Sequence, residues 1–278
     1  MKPIKAFAPA KVNLTLHVTG RRDDGYHMLD SLVMFADVGD RISVTQSDVT
    51  RLKVTGPMAA GVPADSSNLV VKAAELMGIS ADIRLKKFLP NAAGIGGGSS
   101  DAAATLRALS LLSGQPVPDN VLSLGADVPV CLAQGAARMQ GIGDRVISVP
   151  GLPMLHAVLV NPMLPVPTAR IFERVENHEN PPMPRGLPTG VTAAELIQWL
   201  ATQRNDLQEP AIAAEPAIEQ VFRILEVTPG CLLARMSGSG ATCFGLYTGA
   251  ETAASAAGRL QETYPGWWVA ATRLNSVS

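Results

Sequence analysis

The stretch PNAAGIGGGSSDAA, residues 90–103, concentrates the groups best suited to chemistry. Gly94, Gly96, Gly97 and Gly98 let a backbone approach a ligand closely and adopt positive φ angles. Ser99, Ser100 and Asp101 follow where a helix would begin, so unpaired N–H groups and the positive end of a helix dipole would face the loop. Such a loop is an anion site, most often for phosphate, and the two hydroxyls add donors that can also ligate magnesium. The plain alternative is a glycine-rich turn whose Ser-Asp group only caps a helix. Two familiar phosphate motifs fail here. A Walker loop needs a Lys-Ser/Thr pair after its last glycine. A dinucleotide fingerprint needs Gly or Ala where Ser99 stands, in a βαβ setting that is not visible around this loop.

Two further positions could act on a hydroxyl. Lys11 and Asn13 are spaced i,i+2 on an alternating run, so one strand face can aim both at one site. Asp127, in LGADVPVCL, stands among apolar neighbours, where an unpaired carboxylate would be costly. A basic group and a carboxylate converging on one acceptor suffice for phosphoryl transfer, which needs alignment and charge neutralisation more than covalent help. On these residues alone, Asp127 also suits a helix N-cap with Pro129 just inside, and Lys11 a solvated lysine on an edge strand. Both readings stay open at this level.

The elements that must hold these groups are partly legible. Val12, Leu14, Leu16 and Val18 alternate with Lys11, Asn13, Thr15 and His17, the pattern of a half-buried strand. A turn-rich GRRDDGYH and an apolar run, Leu29–Val38, follow, with separate strand-like runs at Arg41–Thr45 and Arg51–Val54. Asp65-Ser66-Ser67-Asn68 reads as a cap for the helix LVVKAAELM, which Gly78 would stop. Asp82–Leu85 reads as a strand, the run from Ser99 to Leu112 as a helix ended by Gly114, and Trp267–Thr272 as a last strand.

Bulk properties exclude several classes. A length of 278 residues exceeds one ordinary core and fits two domains. Proline clusters at 150–167 and 181–188 place the boundary near residue 150, giving domains 1–150 and 151–278. With 47% hydrophobic and 17% charged residues the composition is globular, and a formal charge of −1 offers no field for nucleic acid or a membrane surface. Cys131, Cys231 and Cys243 share no CxxC spacing, which excludes a disulfide framework and disfavours structural zinc. Polar residues interrupt both the N-terminal run and every long apolar stretch, so a cytoplasmic location is expected.

The phosphate-loop string resembles the second motif of the GHMP kinases, the superfamily of galactokinase, homoserine kinase, mevalonate kinase and phosphomevalonate kinase. APAKVNLTL near the N-terminus is similar to their first motif and SGSGAT, residues 237–242, to their third. The three matches occur in order and span nearly the whole chain. GRRDDGYH, GADVPVCL, PVPTARIF and Arg204-Asn205-Asp206-Leu207 further resemble one branch, which acts on a cytidine diphosphate-linked methylerythritol in the non-mevalonate route to isoprenoid precursors.

The resemblance implies an α+β fold of two domains, the first like the second domain of ribosomal protein S5 and the second ferredoxin-like. It implies ATP with Mg2+ as co-substrate, without identifying the protein ligands of the metal. It makes Asp127 the catalytic base and Lys11 its partner at the acceptor hydroxyl, with Asn13 beside them. Tyr26 would stack on the cytosine, His27 would hydrogen-bond it, Phe172 would cover its other face, and Thr168 would donate a hydrogen bond. Gly94, Ile95, Gly96, Gly97, Gly98, Ser99 and Ser100 would wrap the ATP phosphates. Asn68, Lys87 and Pro90 would border the adenine, although a helix cap and a surface charge are ordinary uses for the first two. Gly238, Ser239 and Gly240 would form a closing loop, and Asp101 a helix cap. The competing readings are a homoserine- or mevalonate-type kinase, a non-catalytic nucleotide-binding protein of the same fold and, less favoured, a dinucleotide-dependent oxidoreductase. Whether the proline-rich 181–188 segment is a lid or an inert loop is left open by the sequence.

Overall fold

The computed structural model describes residues 2–275. In chain order the elements are β1 (Ile4–Asn13), β2 (His17–Arg21), β3 (His27–Gln46), β4 (Arg51–Thr55), α1 (Leu69–Met77), β5 (Ala81–Lys86) and α2 (Gly97–Ser113). A 3-10 turn at Val121–Leu124 precedes α3 (Val128–Ala133), β6 (Ala137–Gly141), β7 (Arg145–Ser148) and β8 (Leu155–Asn161). Then come α4 (Thr168–Phe172), α5 (Ala193–Ala201), α6 (Gln208–Ala214), α7 (Ala217–Glu226), β9 (Cys231–Met236), β10 (Cys243–Tyr247), α8 (Ala250–Thr263) and β11 (Trp268–Leu274). The chain forms two compact units. One holds residues up to Lys11, Val38–Asn91 and Gly96–Gln134; the other holds Val12–Asp37, Ala92–Ile95 and Gly135 onward. Compactness therefore divides the chain into interleaved segments rather than at one point near residue 150.

In the first unit, β4 runs parallel to β5 with α1 between them, a βαβ unit that lies upstream of the glycine loop. After the loop, α2 is followed by β6, whose partners are β3 and β7, so no parallel strand completes a dinucleotide fold there. The Asn68 side chain caps α1 by accepting from Val70 N, and Gly78 ends it in the left-handed region at φ 64°. β5 alternates buried and exposed residues along its length, as a strand with one covered face should. The two runs read separately at 29–38 and 41–45 are one strand, β3, of 20 residues. Gly39 does not break it: a side chain there would collide with the Ala8 carbonyl, so this glycine permits close approach of β1.

The run at 12–18 is not a half-buried strand. β1 ends at Asn13 and β2 starts at His17, and the polar positions are as buried as the apolar ones: Lys11, Asn13, Thr15 and His17 are 4%, 1%, 0% and 1% exposed. They are tolerated inside because each has a partner, such as Ser31 for Asn13 and the Leu32 N–H for Thr15.

In the second unit, β8, β9, β10 and β11 form an antiparallel sheet in the order β11-β8-β10-β9, with helices between β8 and β9 and between β10 and β11. That is the βαββαβ, ferredoxin-like arrangement. Ile218, Val221 and Leu225 of α7 and Ala253, Ala256 and Leu260 of α8 close its core against Val158, Val160 and Tyr247. The proline-rich segment is fastened to this unit. Arg138 grips the Asp30 carboxylate bidentately at 2.7 and 2.5 Å and donates to the Met183 and Pro184 carbonyls, each at 2.9 Å. Asp30 in turn accepts from Met183 N, and the Pro181 carbonyl accepts from Arg204.

Removing one partner of a buried, hydrogen-bonded ion pair strands the other's charge. Arg138→Met is expected to lower the unfolding free energy by about 3–5 kcal/mol and to speed tryptic cleavage after Arg174 and Arg185. Urea unfolding and limited proteolysis check both; unchanged stability and cleavage would show the clamp to be inert.

Candidate active site

Within the first unit the structure joins two of the expected groups. Lys11 Nζ lies 2.7 Å from Asp127 Oδ2. Asp127 occupies the cap position of α3, with Pro129 in the first turn, yet its side chain makes no capping bond. The carboxylate turns to Lys11, so the cap reading of Asp127 and the solvated reading of Lys11 both give way. Gly96, at φ 62°, sits against this pair: a side chain there would meet Lys11 Cβ and Cε at 3.2 and 3.3 Å and Asp127 Oδ2 at 3.7 Å.

α2 starts earlier than its serines suggest. Gly96 is the cap residue, without a side-chain bond, and Gly97 and Gly98 form the first turn. Ser100 N closes the first intrahelical bond, to Gly96 O at 2.8 Å, which leaves the N–H groups of Gly97, Gly98 and Ser99 without intrahelical acceptors. Ser100 is buried, and its hydroxyl has no partner.

Asp101 does not cap the helix, and Lys87 is not a surface charge. Lys87, 2% exposed, bonds to Asp40 Oδ2 and, at 2.8 Å, to Asp101 Oδ2. Asp40 Oδ1 takes the backbone N–H groups of Phe88 and Leu89 at 2.5 and 2.9 Å. The ammonium lies beneath the first turn of α2, 3.6 Å from where a Gly97 side chain would begin. Burial above all pushes the Asp101 carboxyl up to about 8, with Lys87 opposing and Asp40 adding. Burial also disfavours the Lys87 charge, but Asp101 and Asp40 outweigh it and raise the lysine. Of the two carboxyl groups on Lys87, the Asp101 carboxyl is the one that burial holds towards its neutral form. The second oxygen of Asp101 is buried without a partner, which a neutral acid bears more easily than a carboxylate. Asn68 spends its amide locally, accepting from Val70 N and donating to Pro63 O, and Pro90 is buried.

The remaining expected residues lie in the second unit. Gly94 at φ 72° packs so closely on Ser237 and Gly240 that any side chain would collide with their backbone. Its carbonyl accepts from Ser237 Oγ at 3.0 Å, and the Ile95 side chain is fully buried as an anchor. Asn13 N donates to Ser237 Oγ at 3.1 Å, and Asn13 Oδ1 is buried without a partner. Thr168 and Ser239 share a hydroxyl–hydroxyl bond of 2.9 Å. Gly238 and Gly240 take positive φ, and Asn205 holds their loop by donating to the Met236 and Gly238 carbonyls at 2.8 and 2.9 Å. His27 and Phe172 are in ring contact at 4.9 Å, whereas Tyr26 is 60% exposed. Burial, then His178 and Arg21, hold His27 below the ordinary histidine value, so it is neutral near pH 7.

Several residues in contact with the expected ones were not individually legible in the sequence: Asp40, Ser237, Asn205 and His178. Asn205 lay within a noted string, and Ser237 opens SGSGAT, so both carried a signal. Asp40 and His178 carried none, because their partners are distant in sequence.

Comparison with known proteins defines the class first. Residues 68–151 match the GHMP kinases N terminal domain and residues 191–266 match GHMP kinases C terminal. Over almost its entire length the chain is similar to the 4-diphosphocytidyl-2-C-methyl-D-erythritol kinase of Dinoroseobacter shibae, 55% identical over 98% of this chain and 96% of the relative. A crystal structure of 4-(cytidine 5'-diphospho)-2C-methyl-D-erythritol kinase superposes with a TM-score of 0.81 at 34% identity, covering 98% of this chain and all of the other. The homoserine kinase of Cytophaga hutchinsonii, at 19% identity and a TM-score of 0.67 over 98% of this chain and 95% of its own, shares the fold. The chain belongs to the 4-diphosphocytidyl-2-C-methyl-D-erythritol kinase family of GHMP kinases. Among the described residues, no helix is long and apolar enough to cross a membrane.

The buried cluster has a pH signature. Asp101 has a folded pKa above its unfolded value of about 3.9, so the stability it contributes is full below that value and is lost as pH rises towards about 8. Asp101→Asn, which mimics the neutral acid, is expected to lose less melting temperature than the parent between pH 5.5 and 8. Calorimetry at several pH values checks this, and parallel curves would refute it.

Proposed function

We propose that this chain transfers the γ-phosphoryl group of ATP to the 2-hydroxyl of 4-diphosphocytidyl-2-C-methyl-D-erythritol, giving the 2-phosphate and ADP, in the non-mevalonate route to isoprenoid precursors. The observation that carries the chemistry is the Lys11–Asp127 pair at 2.7 Å, faced by Gly96 of the phosphate loop. The near full-length similarity to the named kinases supports the choice of acceptor.

The step is an in-line displacement. The acceptor oxygen bonds to the γ-phosphorus, the bond from that phosphorus to the β,γ-bridging oxygen breaks, and ADP leaves with the electron pair. Asp127 receives the hydroxyl proton, and Lys11 orients the hydroxyl while balancing the charge of carboxylate and phosphoryl oxygens. The free N–H groups of Gly97, Gly98 and Ser99 cradle phosphate oxygens at the positive end of α2. Asn68, Lys87 and Pro90 shape the adenine side through their placement, since their side chains are committed to a cap, a buried ion cluster and packing.

Among the described residues no group of three histidine, cysteine or acidic side chains could hold a metal. Magnesium would come with the nucleotide, whose phosphates leave the protein only one or two ligands to supply. The partnerless Ser100 hydroxyl fits that need, and the ion would neutralise phosphate charge. His27 and Phe172, with the exposed Tyr26, form the cytosine side; Thr168 and Ser239 lie on the substrate side with the closing loop of Gly238 and Gly240. A boundary of roles near residue 150 and a cytoplasmic setting accompany this reading.

ADP release is to be measured with ATP, magnesium and the cytidylyl substrate, beside homoserine, mevalonate and galactose. Turnover is expected only with the cytidylyl substrate, and Asp127→Asn or Lys11→Ala should lower kcat by about 10²-fold or more while ATP still binds. Turnover with another acceptor would discard the cytosine site, and ATP binding without any turnover would make the chain a binding protein.

A further inference from the structure

Three rings meet in the second unit. The His27 ring lies 4.9 Å from Phe172, at an interplanar angle of 30°, and 4.9 Å from His178, at 53°. His178 lies just before the fastened proline-rich segment, and the backbone on both sides of it is pinned. Asn177 Oδ1 accepts from Glu179 N at 3.0 Å, Asn177 Nδ2 donates to Asn180 Oδ1 at 2.9 Å, and Asn180 N donates to the Val18 carbonyl at 3.2 Å. The ring therefore has a built place beside His27.

Two ring nitrogens in this cluster, His27 Nε2 and His178 Nδ1, are buried and have no hydrogen-bond partner. Leaving a polar atom so costs about 1–3 kcal/mol. His17 Nε2 is also partnerless, but that ring is already held through Nδ1 by the Pro181 carbonyl. A neutral imidazole offers one donor and one acceptor nitrogen, so two neighbouring histidines can meet an edge that carries both kinds of group. Cytosine has such an edge, with an amino donor beside a ring-nitrogen acceptor, and Phe172 supplies the apolar face that a planar base requires.

We propose that His178 is a specificity-determining residue of the base pocket, presenting Nδ1 to the hydrogen-bonding edge of the substrate's cytosine beside His27 Nε2. The inference rests on the function proposed above and adds a residue to it. Admission of the base parts the ring contacts, and the cost of the two unpaired nitrogens is recovered in the bound state.

The test is calorimetric titration of the intact protein with cytidine 5'-diphosphate while the ATP site is filled with a non-hydrolysable ATP analogue. His178→Phe keeps an aromatic ring but removes the nitrogen, and is expected to weaken binding about tenfold, the worth of one hydrogen bond. His178→Asn, whose amide stands near the former Nδ1, should recover most of that affinity. In turnover, His178→Phe should raise KM for the cytidylyl substrate by a similar factor with kcat and the KM for ATP unchanged. Wild-type affinity in His178→Phe, or equal losses in the Phe and Asn variants, would overturn the inference and leave the proposed function standing. Failure of the wild type to bind the diphosphate would overturn both.

Discussion

A lysine ammonium 4% exposed inside a protein requires an anion, and for Lys11 that anion is Asp127. The pair fixes more than its own charge. It ties β1 to the start of α3, draws the Asp127 carboxylate away from the helix it would otherwise cap, and favours a glycine at position 96. A side chain there would press tightly on Lys11, and its positive φ also favours glycine, so the glycine loop passes this pair as bare backbone. The same pairing that stabilises the interior thereby leaves a carboxylate and an ammonium beside a run of N–H groups without intrahelical acceptors.

A second buried charge cluster supports the first. Asp40 accepts the backbone at the end of β5 and holds Lys87, which reaches Asp101 one turn into α2. Ionic contacts thus join strand, loop and helix beside the buried Leu85, Leu89 and Leu106. Neutralising one of the two carboxylates relieves the repulsion that two buried negative charges would impose. In the second unit Asn205 and Ser237 perform the corresponding task by hydrogen bonds alone, holding the closing glycines and Gly94 in conformations that only glycine adopts readily.

Legibility from the sequence followed the range of the interaction. The cap at Asn68, the stop at Gly78, the alternation of β5 and the glycine loop are local, and each was readable. The pairing of Lys11 with Asp127 came only from the family resemblance, and that of Thr168 with Ser239 was not legible, because these contacts span 116 and 71 residues. Where local rules misled, a long-range contact had overridden them. The runs on either side of Gly39 and Asp40 read as separate, and β1 and the chain after β5 supply the partners of these two residues within one strand. Lys87 and the polar residues at 13–17 looked solvated for the same reason. The ferredoxin-like order of the last four strands came from the family resemblance, since no periodicity encodes which strands become neighbours.

The proposed reaction has one acceptor, the hydroxyl on the carbon that bears the methyl branch. Phosphorus NMR of the product tests it most directly, because that carbon carries no hydrogen. The account predicts a new phosphomonoester signal without three-bond coupling to a carbinol proton, appearing as ADP is formed and with the diphosphate bridge to cytidine intact. A doublet or triplet from that phosphate would place it on a different hydroxyl and contradict the account.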